Sequence, residues 1–106
     1  MSKIALTYED KEYVLEFSRQ TVRQMEGQGF AIEEVTSKPM TMIPLLFTGA
    51  FLKNCKGVKR RTIDDIYDNI SDKTGLIEAL MEMYAETLST LTDEKEEGNV
   101  SWAIVK

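Results

Sequence analysis

The sequence predicts an α+β fold that is mainly α, with an N-terminal β-hairpin packed on a bundle of about four helices. Two observations predict this fold: apolar residues alternate with polar ones near the N-terminus, and farther along they recur every three or four positions. With 106 residues, the chain has room for one core. We therefore expect a single globular domain over residues 1–91, followed by an acidic tail over 92–106 whose composition is compatible with flexibility.

The hairpin is predicted over residues 4–17. Apolar side chains occupy alternate positions on both sides of a short polar run at 9–12; they are Ile4, Leu6 and Tyr8 before it, and Tyr13, Leu15 and Phe17 after it. This spacing is typical of two strands joined by a turn. Because an isolated hairpin is marginally stable in water, its apolar face should pack on the helices.

Two helices are predicted to follow, over about 19–26 and 43–54. Ser18 is suited to cap the first, and Gly27 marks its end. Pro44 fits the first turn of the second helix, where its missing N–H removes no helical hydrogen bond. The second helix has the most hydrophobic stripe in the chain, formed by Ile43, Leu46, Phe47, Ala50 and Phe51.

Two further helices are predicted over about 63–70 and 75–91. Thr62 is a candidate N-cap for the first of them, and Asp64 and Asp65 suit the positive end of its dipole. The last helix is the longest, with apolar residues at every third or fourth position. Capping, rather than acid-base chemistry, best accounts for the two aspartates, since neighbouring residues on a helix point in different directions.

The last helix also contains candidate partner-binding residues. Leu76, Met81 and Met83 widen its apolar face beyond what one packing partner needs. Because Met81 and Met83 are two positions apart, they cannot both face the same core, so one of them is expected on an exposed or interfacial surface. Methionine recurs in grooves that accept helices, although ordinary core filling is the alternative explanation.

A basic segment at 53–61 is the second candidate surface, with Lys53, Lys56, Lys59, Arg60 and Arg61. It could contact nucleic-acid phosphates or an acidic protein segment. The alternative is a helix C-terminus followed by a solvated loop, where lysines offset the helix dipole. No aromatic residue is interleaved with these charges, so a stacking platform for single-stranded nucleic acid is not supported.

The composition excludes several classes of function. The chain has no histidine and one cysteine, Cys55, so it cannot build a common zinc site, a Ser-His-Asp triad or a Cys-His pair. We therefore predict no enzymatic activity, no metal site and no cofactor. The net charge of −5 disfavours nucleic acid and anionic membrane as main partners. The longest apolar-leaning stretch, 40–52, is shorter than the roughly 20 residues of a membrane span.

The C-terminal end of the chain is apolar again after the acidic run. Its residues Val100, Trp102, Ile104 and Val105 give it the composition of a docking segment. The sequence does not identify the surface on which this segment docks.

The order of several segments resembles a known family. The segments are YEDKEYVLEF (8–17), TVRQME (21–26), LLFTGAF (45–51), IDDIYD (63–68) and the long helix 76–91. Over roughly residues 5–91, this order is similar to the small tail assembly chaperones encoded by long-tailed phages and prophages of Gram-positive bacteria. The resemblance implies a protein of the host cytoplasm that is absent from the mature virion. It would bind the tape measure protein, shield its apolar helices and help recruit tail tube subunits.

A chaperone that coats a long helical client would also tend to self-associate, so we expect a homo-oligomer. The alternative hypothesis is a small phage or bacterial regulator that binds nucleic acid through residues 53–61. Salt-dependent retention of nucleic acid would favour the regulator, and co-purification with a long helical protein would favour the chaperone.

Overall fold

A computed structural model describes residues 2–93 and 98–106 and confirms the α+β, mainly α fold. The elements in chain order are β1 (Ile4–Tyr8), β2 (Lys11–Leu15), α1 (Arg19–Gly27), a 3₁₀ turn (Ile32–Glu34), α2 (Pro39–Gly49), α3 (Arg60–Asp68) and α4 (Lys73–Ser89). Residues 94–97 of the predicted acidic tail lie outside the described residues. No helix in the described part of the chain has both the length and the apolar character that crossing a membrane requires.

The two strands pair antiparallel, with Tyr8 opposite Lys11 next to the turn. Only Glu9 and Asp10 form that turn, and both have left-handed backbone angles, with φ of 51° and 63°. A two-residue turn with both residues in this conformation has a backbone twist that matches the twist of the two strands it joins. Lys11 and Glu12, which the polar run placed in the turn, therefore already belong to β2.

Helix α1 confirms the predicted cap and bounds. Ser18 Oγ accepts a hydrogen bond from the Thr21 backbone N–H at 3.2 Å, and Thr21 Oγ1 accepts one from the Ser18 N–H at 2.9 Å. This reciprocal capping box satisfies two donors that the first turn would leave without partners. The chain turns away after Gly27, and Gly29 adopts a left-handed φ of 96°.

Helix α2 begins and ends about four residues earlier than predicted. Pro39, not Pro44, occupies the first turn, so Pro44 lies inside the helix. Pro44 cannot donate to the carbonyl of Met40, but Met40 is exposed, and water can replace that bond. After Gly49 the chain continues in tight turns, in which the Phe51 N–H donates to the Thr48 carbonyl at 3.1 Å.

Helix α3 begins at Arg60, so the predicted cap at Thr62 is wrong. Lys59 is the N-cap residue, and its side chain makes no capping hydrogen bond. Asp64 therefore lies beyond the first turn, where it forms an ion pair with Arg60 at 3.4 Å between Nε and Oδ1. The expected effect of Asp64 and Asp65 on the helix dipole is thus small, since that effect is confined to the first turn.

Helix α4 begins at Lys73 because Asp72 caps it. The Asp72 Oδ1 atom accepts a hydrogen bond from the Gly75 backbone N–H at 3.0 Å. The helix ends at Ser89, two residues before the predicted end. This leaves Leu91 outside the helix and largely exposed.

The core lies between the hairpin and the four helices, with Ile63 and Ile66 as the buried residues of α3. Tyr84 of α4 is at its centre, with its ring edge-to-face with Phe17 at 5.7 Å and Phe30 at 5.1 Å between centroids. On the other side of the core, Phe51 packs edge-to-face on Tyr13 at 5.9 Å. Such aromatic pairs add to the free energy gained by burial, and they fix the hairpin on the helices as predicted.

Candidate functional site

An open, mainly apolar cavity lies between helices α2 and α3, and we refer to it as the α2–α3 groove. It has a volume of about 330 Å³ and is lined by Ile43, Pro44, Phe47, Thr48, Asp64, Tyr67 and Asp68. Its lining is mainly apolar, with the two aspartates at one side. This combination of an apolar floor and a few polar groups is typical of a binding site.

The floor of the groove is held by aromatic packing. Phe47 is buried, and its ring contacts Phe51 at 5.1 Å and Tyr67 at 5.3 Å, both edge-to-face. Ile43 and Pro44 are half-buried at the side of the groove. Helix α2 is apolar on nearly all sides, so the core covers only part of it and the rest faces this groove.

Met40 extends the groove along α2. Its side chain is 89% exposed, the greatest exposure of any methionine described. Because it precedes Pro44 by four positions, it lies one turn away on the same side of the helix. The apolar surface therefore runs from Met40 to Phe47, which is about 11 Å along the helix axis.

Polar groups give the groove a chemical preference. Asp64 and Asp68 are exposed on one side of α3, and Asp68 forms no ion pair with any described residue. Thr48 Oγ1 is a buried oxygen that has no hydrogen-bond partner within the described part of the chain. An occupant with apolar side chains and nearby basic residues would match this surface.

Helix α4 holds the three predicted partner-binding residues in two different environments. Met83 is 4% exposed and belongs to the core, so it offers almost no surface to a partner in the folded chain. It shares the inward face with Leu80 and Thr87, which are three and four positions away. Leu76 and Met81 are half-buried at the edge of the core, so part of each side chain stays accessible.

Lys53 is separated from the other basic residues by an internal ion pair. Its Nζ lies 2.9 Å from Oε2 of Glu16, a residue that is 8% exposed. Asn54 Nδ2 donates to the other carboxylate oxygen at 3.1 Å. The hydrogen bonds from Lys53 and Asn54 lower the pKa of Glu16 below its ordinary value. Lys53 therefore joins the hairpin to the segment after α2.

The remaining basic residues, Lys56, Lys59, Arg60 and Arg61, are exposed, and we call them the basic surface. Three of them stand at the start of α3, where the helix dipole is positive. The explanation that lysines offset a helix C-terminus therefore does not apply to these three. Next to them is an open groove of about 650 Å³ lined partly by Lys11, Lys56 and Lys59.

The described residues offer little for metal or thiol chemistry. Within 2–93 and 98–106, no three acidic or thiol side chains come together in a way that could hold a metal ion. Cys55 is half-buried, and its sulfur lies 3.6 Å from the Val14 carbonyl oxygen. Its surroundings are those of a packing residue.

The comparison with protein families matches residues 1–105 to DUF5055, a domain of unknown function. The chain belongs to the DUF5055 family. Comparisons with curated proteins and with solved structures gave no match.

Sequence reasoning missed the groove of the DUF5055 domain, although it singled out α2 as the most hydrophobic helix. Ile43 and Phe47 were assigned to the apolar stripe of the second helix, and no contact was predicted for Tyr67. The available signal was that α2 is apolar on nearly every side, so one core cannot cover it. The contribution of Tyr67 and Asp68 depends on how α3 docks, which is not a local property of the sequence.

Proposed function

We propose that this chain is a tail assembly chaperone of a long-tailed phage or prophage. It binds apolar helices of the tape measure protein, keeps them soluble and helps recruit tail tube subunits. It acts in the host cytoplasm and is not retained in the mature virion. The observation that supports this proposal most is the α2–α3 groove, an open apolar surface that continues to the exposed Met40.

The groove suits an amphipathic helix. Recognition of a helix in a groove uses anchors at positions i, i+3 or i+4, and i+7. The apolar stretch from Met40 to Phe47 has the same seven-residue span, so two turns of a client helix can lie along it. Burying an apolar side chain of the client in this groove contributes about 25 cal/mol to the binding free energy for each Å² of apolar surface removed from water.

The acidic side of the groove favours one kind of client. Asp68 can pair with a lysine or arginine that flanks the apolar stripe of a client helix, and Asp64 can do so by exchanging its exposed ion pair with Arg60. Such exposed pairs contribute only about 0.2–1 kcal/mol each, so they select orientation and partner more than they supply affinity. The net charge of −5 also favours association with a basic client segment.

Co-expression with the tape measure protein of the same phage tests this proposal. The soluble fraction of the client should rise several-fold with the natural chain. It should fall back with the double variant Ile43→Lys and Asp68→Lys, which places positive charge in the groove and removes one of its two carboxylates. The control is Asp65→Lys, which makes the same charge change as Asp68→Lys at an exposed position outside the groove.

A client that stays insoluble with the natural chain would overturn the chaperone proposal. A client that stays soluble with the double variant would show that another surface binds it. Circular dichroism of each variant confirms that the fold is intact, because Ile43 is only half-buried and Asp68 is exposed.

A second candidate function is nucleic-acid binding by a small regulator. The specific observation in its favour is the basic surface, where Lys59, Arg60 and Arg61 add to the positive end of α3. Replacing these three residues with glutamine should abolish salt-dependent retention of DNA or RNA if this function is correct. The net charge of −5 makes it the less favoured function.

A further inference from the structure

The outer edge of strand β1 is unpaired. In a two-residue hairpin the pair that flanks the loop, Tyr8 and Lys11, is hydrogen-bonded, and bonded pairs then alternate along the strands. Hence the backbone N–H and C=O groups of Ala5 and Thr7 point away from β2. No other element in the described parts of the chain forms a backbone hydrogen bond with these two residues. Such an edge can accept another strand.

The C-terminal segment has the pattern of a strand but is not paired in the single chain. Val100, Trp102 and Ile104 occupy alternate positions and are 86%, 83% and 74% exposed. The described residues 98–106 form no regular secondary structure. Most residues from 100 to 105 are β-branched or aromatic, and such residues favour pairing as a β-strand.

We propose that residues 100–105 of one copy add as a strand to the β1 edge of a second copy of this chain. Each copy has one unpaired β1 edge and one unpaired segment 100–105. If each copy adds its segment to the β1 edge of the other, both edges are paired in a closed dimer. Extended segments that add to sheet edges gain affinity from main-chain hydrogen bonds and specificity from alternate side chains. This inference is independent of the proposed chaperone function.

Charge and spacing favour parallel pairing. Val100 then lies opposite Ile4, Trp102 opposite Leu6 and Ile104 opposite Tyr8, so the added apolar side chains continue the half-buried face of β1. The strand and the segment have similar lengths, since β1 has 5 residues.

In this register Lys106 lies beside the acidic turn at Glu9 and Asp10. Antiparallel pairing would instead bring Lys106 next to Lys3, a contact between like charges.

The place where the segment leaves the domain also fits. Ser2 Oγ donates to Oε2 of Glu86 at 3.1 Å, so the last turns of α4 lie beside the start of β1. The same proximity would allow pairing within one chain, which the experiment distinguishes by molecular mass.

Trp102 is the only tryptophan, so its fluorescence reports directly on the segment. Light scattering should show a monomer that becomes a dimer as the protein concentration rises, and Trp102 emission should shift to shorter wavelength over the same range. Ile104→Pro removes a backbone N–H that faces β1 in the parallel register. It should raise the dimer dissociation constant about tenfold or more. Ala103→Pro, whose N–H faces away from β1, should leave dimerisation nearly unchanged.

The β1 edge is tested in the same way. Thr7→Pro should weaken the dimer as Ile104→Pro does, whereas Thr7→Val keeps the N–H and should not. Because Thr7→Pro could perturb the hairpin, Ile104→Pro, which lies outside every element of the fold, keeps the test independent of folding.

Two results would overturn the proposal. One is a chain that stays monomeric at every concentration, whether Trp102 is exposed or buried against its own β1. The other is a dimer that persists unchanged in Ile104→Pro.

Discussion

At the scale of single residues, burial decides which charged and apolar side chains stabilise the fold and which remain available to partners. Lys53 looks like one of five similar basic residues in the sequence, but it is the one bonded to the nearly buried Glu16. The spacing of Met81 and Met83 predicts that only one of them faces the core, and Met83 is the buried one. The sequence does not show which methionine is buried or which lysine is paired, because each depends on contacts with distant elements.

The ion pair of Lys53 should contribute to stability in a pH-dependent way. Replacing Lys53 with methionine should lower the free energy of unfolding at pH 7 by about 1–2 kcal/mol, since the Glu16 carboxylate would keep its burial and lose its main partner. The pKa of Glu16 is lowered in the folded chain, so the stabilisation is present above the ordinary pKa of glutamate, about 4.3. It is lost as the pH falls through the lowered value.

Urea unfolding of the natural chain and Lys53→Met should therefore differ most near neutral pH and converge in acid. Lys56→Met is the matched control, because Lys56 forms no ion pair with any described residue. An equal loss in both variants, or a gap that does not narrow in acid, would show that Lys53 acts through something other than Glu16.

Two glycines should respond oppositely to alanine. A Cβ at Gly49 would overlap the Met25 side chain, whose Cγ would lie 2.7 Å away, and Met25 is fully buried. Gly49→Ala should therefore reduce the free energy of unfolding by about 1–3 kcal/mol. Gly27→Ala meets no atom within 4 Å, so it should be neutral or stabilising by up to about 1 kcal/mol. Thermal unfolding of the two variants measures both effects, and similar melting temperatures would contradict the packing described for α2.

At the scale of elements, the existence and order of the hairpin and helices could be predicted from the sequence, but several boundaries could not. The Ser18 cap was correct because capping is local to a few residues. The start of α2 was misplaced because two prolines competed for its first turn, and Pro39 occupies it. The predicted cap at Thr62 was wrong because α3 already begins at Arg60. Arg60 and Arg61 are charged, so they do not belong to the apolar pattern from which the start of the helix was predicted.

Pro44 inside α2 offers a test at this scale. Pro44→Ala restores an N–H that can donate to the Met40 carbonyl, so the free energy of unfolding should rise by about 1–3 kcal/mol. The same variant removes a ring from the side of the groove, so it should bind a client helix more weakly. Chemical denaturation and client binding, measured on the same preparation, check both effects. A variant that is more stable and binds equally well would place the binding surface elsewhere.

At the scale of the whole molecule, the groove exists only because α3 docks against the outer side of α2. Phe47 and Tyr67 belong to different predicted helices, and nothing local shows that their rings meet at 5.3 Å. The basic surface was easier to find, because its charges are consecutive in the chain. Its position at the N-terminus of a helix was not, since it follows from the true start of α3.

The central claim is that the chain works by holding an apolar helix of another protein in the α2–α3 groove. Methyl NMR of the labelled chain, titrated with a soluble amphipathic helix from the tape measure protein, tests it most directly. The account predicts saturable shifts of the Met40 and Ile43 methyl signals, with the buried Met83 signal nearly unchanged. Saturable binding that leaves Met40 and Ile43 unmoved would contradict it, as would the absence of any shift at millimolar client.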